Sequence, residues 1–283
     1  MGGEKIENPY KPLLARIKNI KTETTGPRSI KTFQLRFIEN KIQKKFSFKP
    51  GQCMMLSLFG VGECMFAISS SPTQKKFFEV SVMKHGKVTT AIHNLKNSEI
   101  VGVRGPYGNS FDVEKWKNKN IVTIGGGIGQ APLRSLINYV LDKPDKYEKL
   151  KIFYGARSSK DLCYMDELNN IGKKKNVDVF LSVDEKEEKW KDFTGFVPDN
   201  LIKVKPKSKN SVAITCGPPV MMPYVFKNLK TLGFNDENIF TTLEMRMKCG
   251  IGICGRCNIG NIYVCKDGPV FSYAQLKNLQ GER

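Results

Sequence analysis

"NIVTIGGGIGQAPLRS", residues 120–135, starts as an apolar run, breaks into glycines and resumes as a helix. Ile121, Val122 and Ile124 have the near-continuous hydrophobicity of a strand buried on both faces. Gly125, Gly126, Gly127 and Gly129 permit close backbone approach, and Pro132 stands where a first-turn proline belongs. A strand that ends in glycines and leads directly into a helix offers free N–H groups and a helix dipole to a pyrophosphate. The strict G-x-G-x-x-G spacing is not met, because residue 130 is Gln. Taken alone, the segment also reads as a plain tight strand-to-helix turn.

Toward the C-terminus the rhythm repeats. "KLKIFYGAR" is a second strand, "SKDLCYMDELNNI" a helix, "NVDVFLSVD" a third strand and "SVAITCGPP" a fourth, followed by "MMPYVFKNLKTLG", a helix closed by Gly233. Strands alternating with helices imply a parallel α/β sheet. Ligands in such sheets bind beyond the carboxyl ends of the strands, so Cys216 in "CGPPVMM" is expected to face the same crevice as the glycine turn. A small buried hydrophobe is the other reading of that cysteine.

Toward the N-terminus, residues 10–115 are β-rich. "IKTFQLRF" and "FFEVSVM" alternate, with turn signals at "KPGQ" and "MKHGK", as in a small antiparallel barrel. "GECMFAISSSP" sets Ser69, Ser70 and Ser71 behind a strand, where they can hydrogen-bond a planar polar ligand. "HGKVTTAIHNL" places Gly86, Thr89 and Thr90 at a helix start, a second phosphate site. "VRGPYGNSF" is a Gly-Pro loop preceded by Arg104. Each of these also reads as an ordinary loop. His85 and His93, the only histidines, lack neighbouring acids and supply neither a catalytic triad nor a zinc protease site; His93 is expected on a helix surface.

Near the end, "CGIGICGRCNIGNIYVCKDG" (249–268) carries four of the eight cysteines as C-x4-C-x2-C-x7-C: Cys249, Cys254, Cys257 and Cys265. The first three match the plant-type [2Fe–2S] loop. Gly250, Gly252 and Gly255 let the loop wrap and aim N–H groups at sulfur, while Lys248, Arg256 and Lys266 offset negative charge. Structural zinc and free thiols are the alternatives, although zinc sites usually pair C-x2-C units and only one is present. Cys53, Cys64, Cys163 and Cys216 are isolated, which speaks against a disulfide framework and for a reducing compartment.

The composition, 40% hydrophobic and 26% charged, is that of a globular protein with no membrane-length apolar run. The first ten residues lack a signal-peptide core, and Ile6 breaks the myristoylation pattern, so the expected location is cytoplasmic, without membrane insertion. The net charge of +19 points either to an anionic partner or to a lysine-dressed surface. The excess is scattered as pairs and triplets, without a basic tail or an aromatic-interleaved patch, and nucleic acid is not expected as a partner. A basic nucleic-acid-binding protein with structural zinc is the alternative from another class. The expected division is an antiparallel barrel over 1–115, an α/β domain over 116–240 and a cysteine module over 241–283.

In order along the chain, "GGGIGQAPLRS", "YGAR", "CGPPVMM" and "MKCGIGICGRC…YVCKDGPVF" resemble the ferredoxin-reductase-like family. The likeness is greatest to members ending in a [2Fe–2S] loop: the dihydroorotate dehydrogenase electron-transfer subunit, the hydrogenase (sulfhydrogenase) gamma subunit and their counterpart in anaerobic sulfite reductase. The resemblance runs from "NPYKP" to "DGPVFSY" and implies an FAD-binding barrel, a domain for NAD(H) or NADP(H), and a cluster module. By that match Ile68, Ser69, Ser70 and Ser71 lie along the flavin, and Gly86, Lys87, Val88 and Thr89 form its phosphate turn. Gly125 to Gly129 hold the dinucleotide, and Cys216 stands near the nicotinamide ring. Two departures stand out: Cys64 and Ala67 occupy the places of the family's flavin-binding Arg and Ser. The short gap before Cys265 leans toward the hydrogenase or sulfite-reductase type. A dihydroorotate dehydrogenase subunit and a stand-alone NAD(P)H:ferredoxin reductase are the alternatives. The implied role is electron transfer among nicotinamide, flavin and cluster, to or from a catalytic or ferredoxin-like partner with an acidic docking surface.

Overall fold

The computed structural model describes residues 8–280; the opening segment, Ile6 included, lies outside the described residues. Six antiparallel strands form the first layer: β1 (Leu13–Thr22), β2 (Ile30–Phe37), β3 (Cys53–Leu58), β4 (Gly62–Ala67), β5 (Phe78–Met83) and β6 (Ile100–Tyr107). Their spatial order is β4-β3-β6-β1-β2-β5. The two outer strands meet through a single Ile68–Val80 bridge, which curls the sheet into a barrel. The alternation in β2 and β5 turns Phe33, Leu35, Phe37, Phe78, Val80 and Val82 inward, against Ile17, Leu56 and Val103. Helix α1 (Asn40–Lys45) follows β2, and α2 (Lys87–His93) follows β5.

His93 corrects one expectation. It is buried at the end of α2, with Nε2 2.8 Å from the Val82 carbonyl and its ring edge-on to Phe33. A seven-residue helix against a barrel mouth has little surface left, and its last turn goes into the core. Burial lowers the pKa of this histidine.

The second layer is a seven-stranded sheet ordered β10-β9-β8-β7-β11-β12-β15. Its elements in chain order are β7 (Asn120–Gly126), α3 (Gln130–Leu141), β8 (Leu150–Ala156), α4 (Met165–Ile171), β9 (Val177–Val183), β10 (Phe193–Thr194), α5 (Val197–Val204), β11 (Ser211–Cys216), α6 (Met222–Thr231) and β12 (Ile239–Thr242). The cysteine segment then supplies β13 (Asn258–Ile259), β14 (Ile262–Tyr263), α7 (Val264–Asp267), β15 (Val270–Ser272) and α8 (Tyr273–Gln280). All strands of this sheet are parallel except β15, which pairs antiparallel with β12. Strand β7 carries Ile121, Val122 and Ile124 because both its faces are covered. Ile121 packs with Leu133, Leu136 and Val140 of α3, and Val122 and Ile124 pack with Leu201 of α5 and Val225 and Leu229 of α6.

Helix α3 also joins the layers. Arg134 pairs with Glu79 of β5 at 2.7 Å and Glu167 of α4 at 2.8 Å, and donates to the Ser69 carbonyl. Ser135 Oγ donates to the Ser70 carbonyl at 2.7 Å, and Asp142 accepts from Ser71 and Thr73. Tyr164 donates to Ser81 Oγ at 2.5 Å.

Candidate functional site

The glycine turn and the "CGPPVMM" loop are one structure. Cys216 is the register partner of Gly125 across β11 and β7. A β-carbon on Gly126 would strike Pro218 and Met221, and one on Gly129 would strike the Cys216 backbone. Gly126 and Gly129 therefore serve packing between the two strand ends, whereas a β-carbon on Gly125 would strike the Gln130 side chain. Gly127 differs: its φ is +53° and nothing lies within 4 Å of where a side chain would start. Tyr154, buried in β8, donates its hydroxyl to the Gly127 carbonyl at 3.1 Å and accepts the Cys163 amide at 2.9 Å, fixing the turn from beneath. Helix α3 opens with no side-chain cap and no acid in its first turn, so its amides and dipole face the crevice unneutralised. Gln130, 1% exposed, buries a carbonyl oxygen without a partner.

Cys216 is half-buried at the crevice wall and accepts a hydrogen bond from Thr242 Oγ1 at 2.9 Å. Burial pushes its thiol up to about 11, the threonine bond only partly opposing it. It is a neutral thiol at physiological pH.

In the barrel, β4 is partly exposed from Glu63 to Ala67, while Ile68, Ser69, Ser70 and Ser71 behind it are buried. The serines are occupied. Ser69 Oγ meets Ser81, Ser70 Oγ accepts the Glu79 amide, and Ser71 Oγ donates to Asp142. Gly86, at φ +87°, starts α2; Thr89 Oγ1 accepts the His85 amide and donates to the Gly86 carbonyl. Val88 packs beside Gly62, bringing this turn against β4. Gly86 and Lys87 are exposed, and the cap of α2 is free of side chains.

The four cysteines of the C-terminal segment share one loop on the barrel's outer wall. Cys249, Cys257 and Cys265 are buried, in an apolar group with Cys53 of β3, Met65 of β4 and Tyr107 of β6, while Cys254 is exposed. Among the described residues no three metal-ligating side chains are gathered at one point as they stand. The loop nevertheless has the donor set a cluster requires. Cys249 Sγ accepts amides from Ile251, Ile253 and Cys254, Cys265 Sγ accepts that of Gly252, and Cys257 Sγ accepts that of Cys265. Gly250, Gly252 and Gly255 have positive φ, which turns those amides inward. Burial opposes ionisation of Cys249, but its three amide donors outweigh this and pull the thiol down to about 6. Burial pushes Cys265 the other way.

Two contacts absent from the sequence reading hold this loop. Arg104 of β6 donates to the Cys249 carbonyl at 3.1 Å. Asn109 donates to the Asp267 and Val270 carbonyls and accepts the Val270 amide. Their partners lie 145 to 161 residues away, and no local pattern marks them.

The comparisons agree with this geometry. Residues 123–227 match the family model "Oxidoreductase NAD-binding domain", and residues 244–277 match "Iron-sulfur cluster binding domain of dihydroorotate dehydrogenase B". The sulfhydrogenase 1 gamma subunit of Pyrococcus furiosus is 41% identical over 97% of this chain and 95% of its own. The chain belongs to that family of electron-transfer subunits. The family includes a probable dihydroorotate dehydrogenase B (NAD(+)) electron transfer subunit of Methanocaldococcus jannaschii, 35% identical over 94% of this chain and 92% of its own. Among solved structures, NADH-dependent reduced ferredoxin-NADP oxidoreductase superposes with a TM-score of 0.74 at 22% identity, covering 100% of this chain and 96% of that one. Ferredoxin-NADP+ reductase of Plasmodium falciparum follows the same fold with a TM-score of 0.68 at 17% identity over 83% of this chain and 96% of that one. The barrel, the α/β sheet and the C-terminal cluster domain are thus the fold of a family of oxidoreductases, and the C-terminal match decides for iron–sulfur over zinc.

Proposed function

We propose that this chain carries electrons between NAD(H) or NADP(H), an FAD on the barrel and a [2Fe–2S] cluster, to or from a catalytic partner subunit of hydrogenase or sulfite-reductase type. A flavin exchanges hydride with nicotinamide and single electrons with a cluster, which is the conversion such a chain needs. The observation that carries the reading is the shared apolar contact of Cys53, Met65 and Tyr107 with Cys249, Cys257 and Cys265. It joins the β3–β4 wall, where the flavin is proposed, to the thiols proposed as ligands.

The roles fall to residues as follows. Cys249, Cys254, Cys257 and Cys265 ligate the cluster. Gly127 and the first turn of α3 receive the pyrophosphate; Gly126 and Gly129 keep the turn flat against the "CGPP" loop, and Gly125 makes room for the Gln130 side chain. Cys216, as a neutral thiol, borders the nicotinamide without adding charge. The backbone of Ile68 to Ser71 and the turn Gly86, Lys87, Val88 and Thr89 flank the flavin. Lys248, whose charge opposes the burial-raised pKa of Cys64, stands near the place of the missing arginine. The three-unit division, 1–115, 116–240 and 241–283, follows these roles, although β15 of the third unit completes the sheet of the second.

The partner is proposed to dock at the cluster loop through an acidic surface. Ile253 is 69% exposed there, with Arg246, Lys248, Arg256 and Lys266 exposed around the same loop. Eight free cysteines support a reducing, cytoplasmic setting; among the described residues no helix is long and apolar enough to cross a membrane. The hydrogenase type is favoured by 41% identity, against 35% for the dihydroorotate type. Anaerobic purification, chromatography of the released flavin, iron and sulfide analysis and EPR after reduction test the reading. FAD with iron and sulfide is expected; FMN alone, or zinc without iron, would overturn it.

A further inference from the structure

Arg104 stands at the start of the "RGPYGNSF" segment and is only 5% exposed. All three guanidinium nitrogens are used. Nε and Nη2 donate to the Glu63 carboxylate at 3.3 and 2.5 Å. Nη1 donates to the Tyr107 hydroxyl at 3.1 Å, the Pro9 carbonyl at 3.2 Å and the Cys249 carbonyl at 3.1 Å. A guanidinium buried this deeply is costly unless fully paired. Pairing with Glu63 alone does not call for a carbonyl from the cysteine loop. That third contact reaches the residue whose sulfur accepts the most amides in the loop.

We infer that Arg104 is a positioning residue for the cluster: it pins the first cysteine of the loop to the barrel and, with Glu63, sets the cluster's reduction potential. The inference rests on the cluster reading above. Reduction adds one negative charge. A fixed cation nearby favours the reduced state, and a fixed anion favours the oxidised one. The two charges of this pair therefore push the potential in opposite directions. A merely structural pair would not do so, because loss of either member would loosen the loop in the same way.

The test is EPR-monitored redox titration of the cluster-loaded full chain as wild type, R104Q, R104K and E63Q. R104Q is expected to lower the midpoint and E63Q to raise it. Each changes the reduced-to-oxidised ratio at fixed potential roughly tenfold, which is 59 mV for a one-electron couple. R104K keeps the charge without the fork and stays closer to wild type than R104Q. Shifts in the same direction, or none, overturn the inference. If R104Q fails to hold a cluster, E63Q decides alone: a rise supports the inference, and no rise ends it. A wild-type chain without a [2Fe–2S] signal would instead sink the cluster reading, and this inference with it.

Discussion

Gly129 lies so close to the carbonyl of Cys216 that a β-carbon there would stand within 3.0 Å of backbone atoms. Two loops more than eighty residues apart in sequence thus meet as backbone on backbone, and the crevice between β7 and β11 has a floor that cannot yield.

Gly129 and Gly127 should therefore respond differently to alanine. G129A overpacks the strand ends and should cost about 1–3 kcal/mol, read as a drop in the urea midpoint. G127A meets open space and pays only for its positive φ, about 1–2 kcal/mol. Its new methyl group projects where the dinucleotide is proposed to sit, so KM for NAD(P)H should rise about tenfold, equivalent to about 1.4 kcal/mol. Unchanged steady-state kinetics for G127A would count against that placement.

Arg134 is a largely buried charged tie between barrel and sheet, with Glu79 and Glu167 on either side and the Tyr164 ring beneath it. R134A leaves two carboxylates largely buried without a counter-charge. The expected loss is about 3–5 kcal/mol, measured by chemical denaturation. A loss under about 1 kcal/mol, the range of an exposed pair, would mean that the other bonds between the layers, those of Ser135, Asp142 and Tyr164 among them, hold them without Arg134.

N109A removes three hydrogen bonds to the segment that carries Cys265 toward β15. The expected destabilisation is about 1–3 kcal/mol. Iron should also be extracted faster by a chelator, because the loop's exit is loosened. Wild-type extraction kinetics in N109A would show that the loop is held elsewhere.

Cys216 provides a pH test. With its thiol raised to about 11, the thiolate fraction, and with it the alkylation rate, should climb about tenfold per pH unit from 8 to near 11. An unperturbed cysteine would level off soon above its ordinary value of about 8.5. The Thr242 bond favours the thiolate, so T242V should react more slowly throughout that window. Peptide mapping by mass spectrometry isolates this site; an early plateau would show the thiol to be unperturbed.

Charge reversal at exposed Arg256 should slow electron delivery to the partner and leave NAD(P)H-to-dye activity nearly intact. Salt should weaken the wild-type association, since exposed charges are screened over about 8 Å at physiological ionic strength. Equal damage to both activities would make Arg256 structural. Damage to neither would move the docking surface away from this loop.

The fold is legible in the sequence where local pattern and burial coincide. Ile121 to Ile124 read as a doubly covered strand because they are one, and the alternation of Phe33, Leu35 and Phe37 points into the barrel core. The three-residue β15 is not legible, because "VFS" is too short to carry a period. Ser69 to Ser71 read as free for a ligand, yet α3 and β5 take their hydrogen bonds, an arrangement that depends on docking of the two layers. His93 misleads because a polar ring at a helix end usually faces water. Arg104 reads only as the residue before a Gly-Pro loop; its partners at Pro9, Glu63 and Cys249 are brought together by the tertiary structure alone.

The antiparallel pairing of β12 with β15 places Thr242 directly beside Val270. Everything between them is topologically one oversized hairpin loop, leaving and rejoining the sheet at adjacent backbone positions. Replacing that excursion by a short turn would leave the order of the remaining strands unchanged. The cluster segment is thus an insertion at one edge of the sheet, tied to the barrel by Arg104 and Asn109 but not threaded through the strand order.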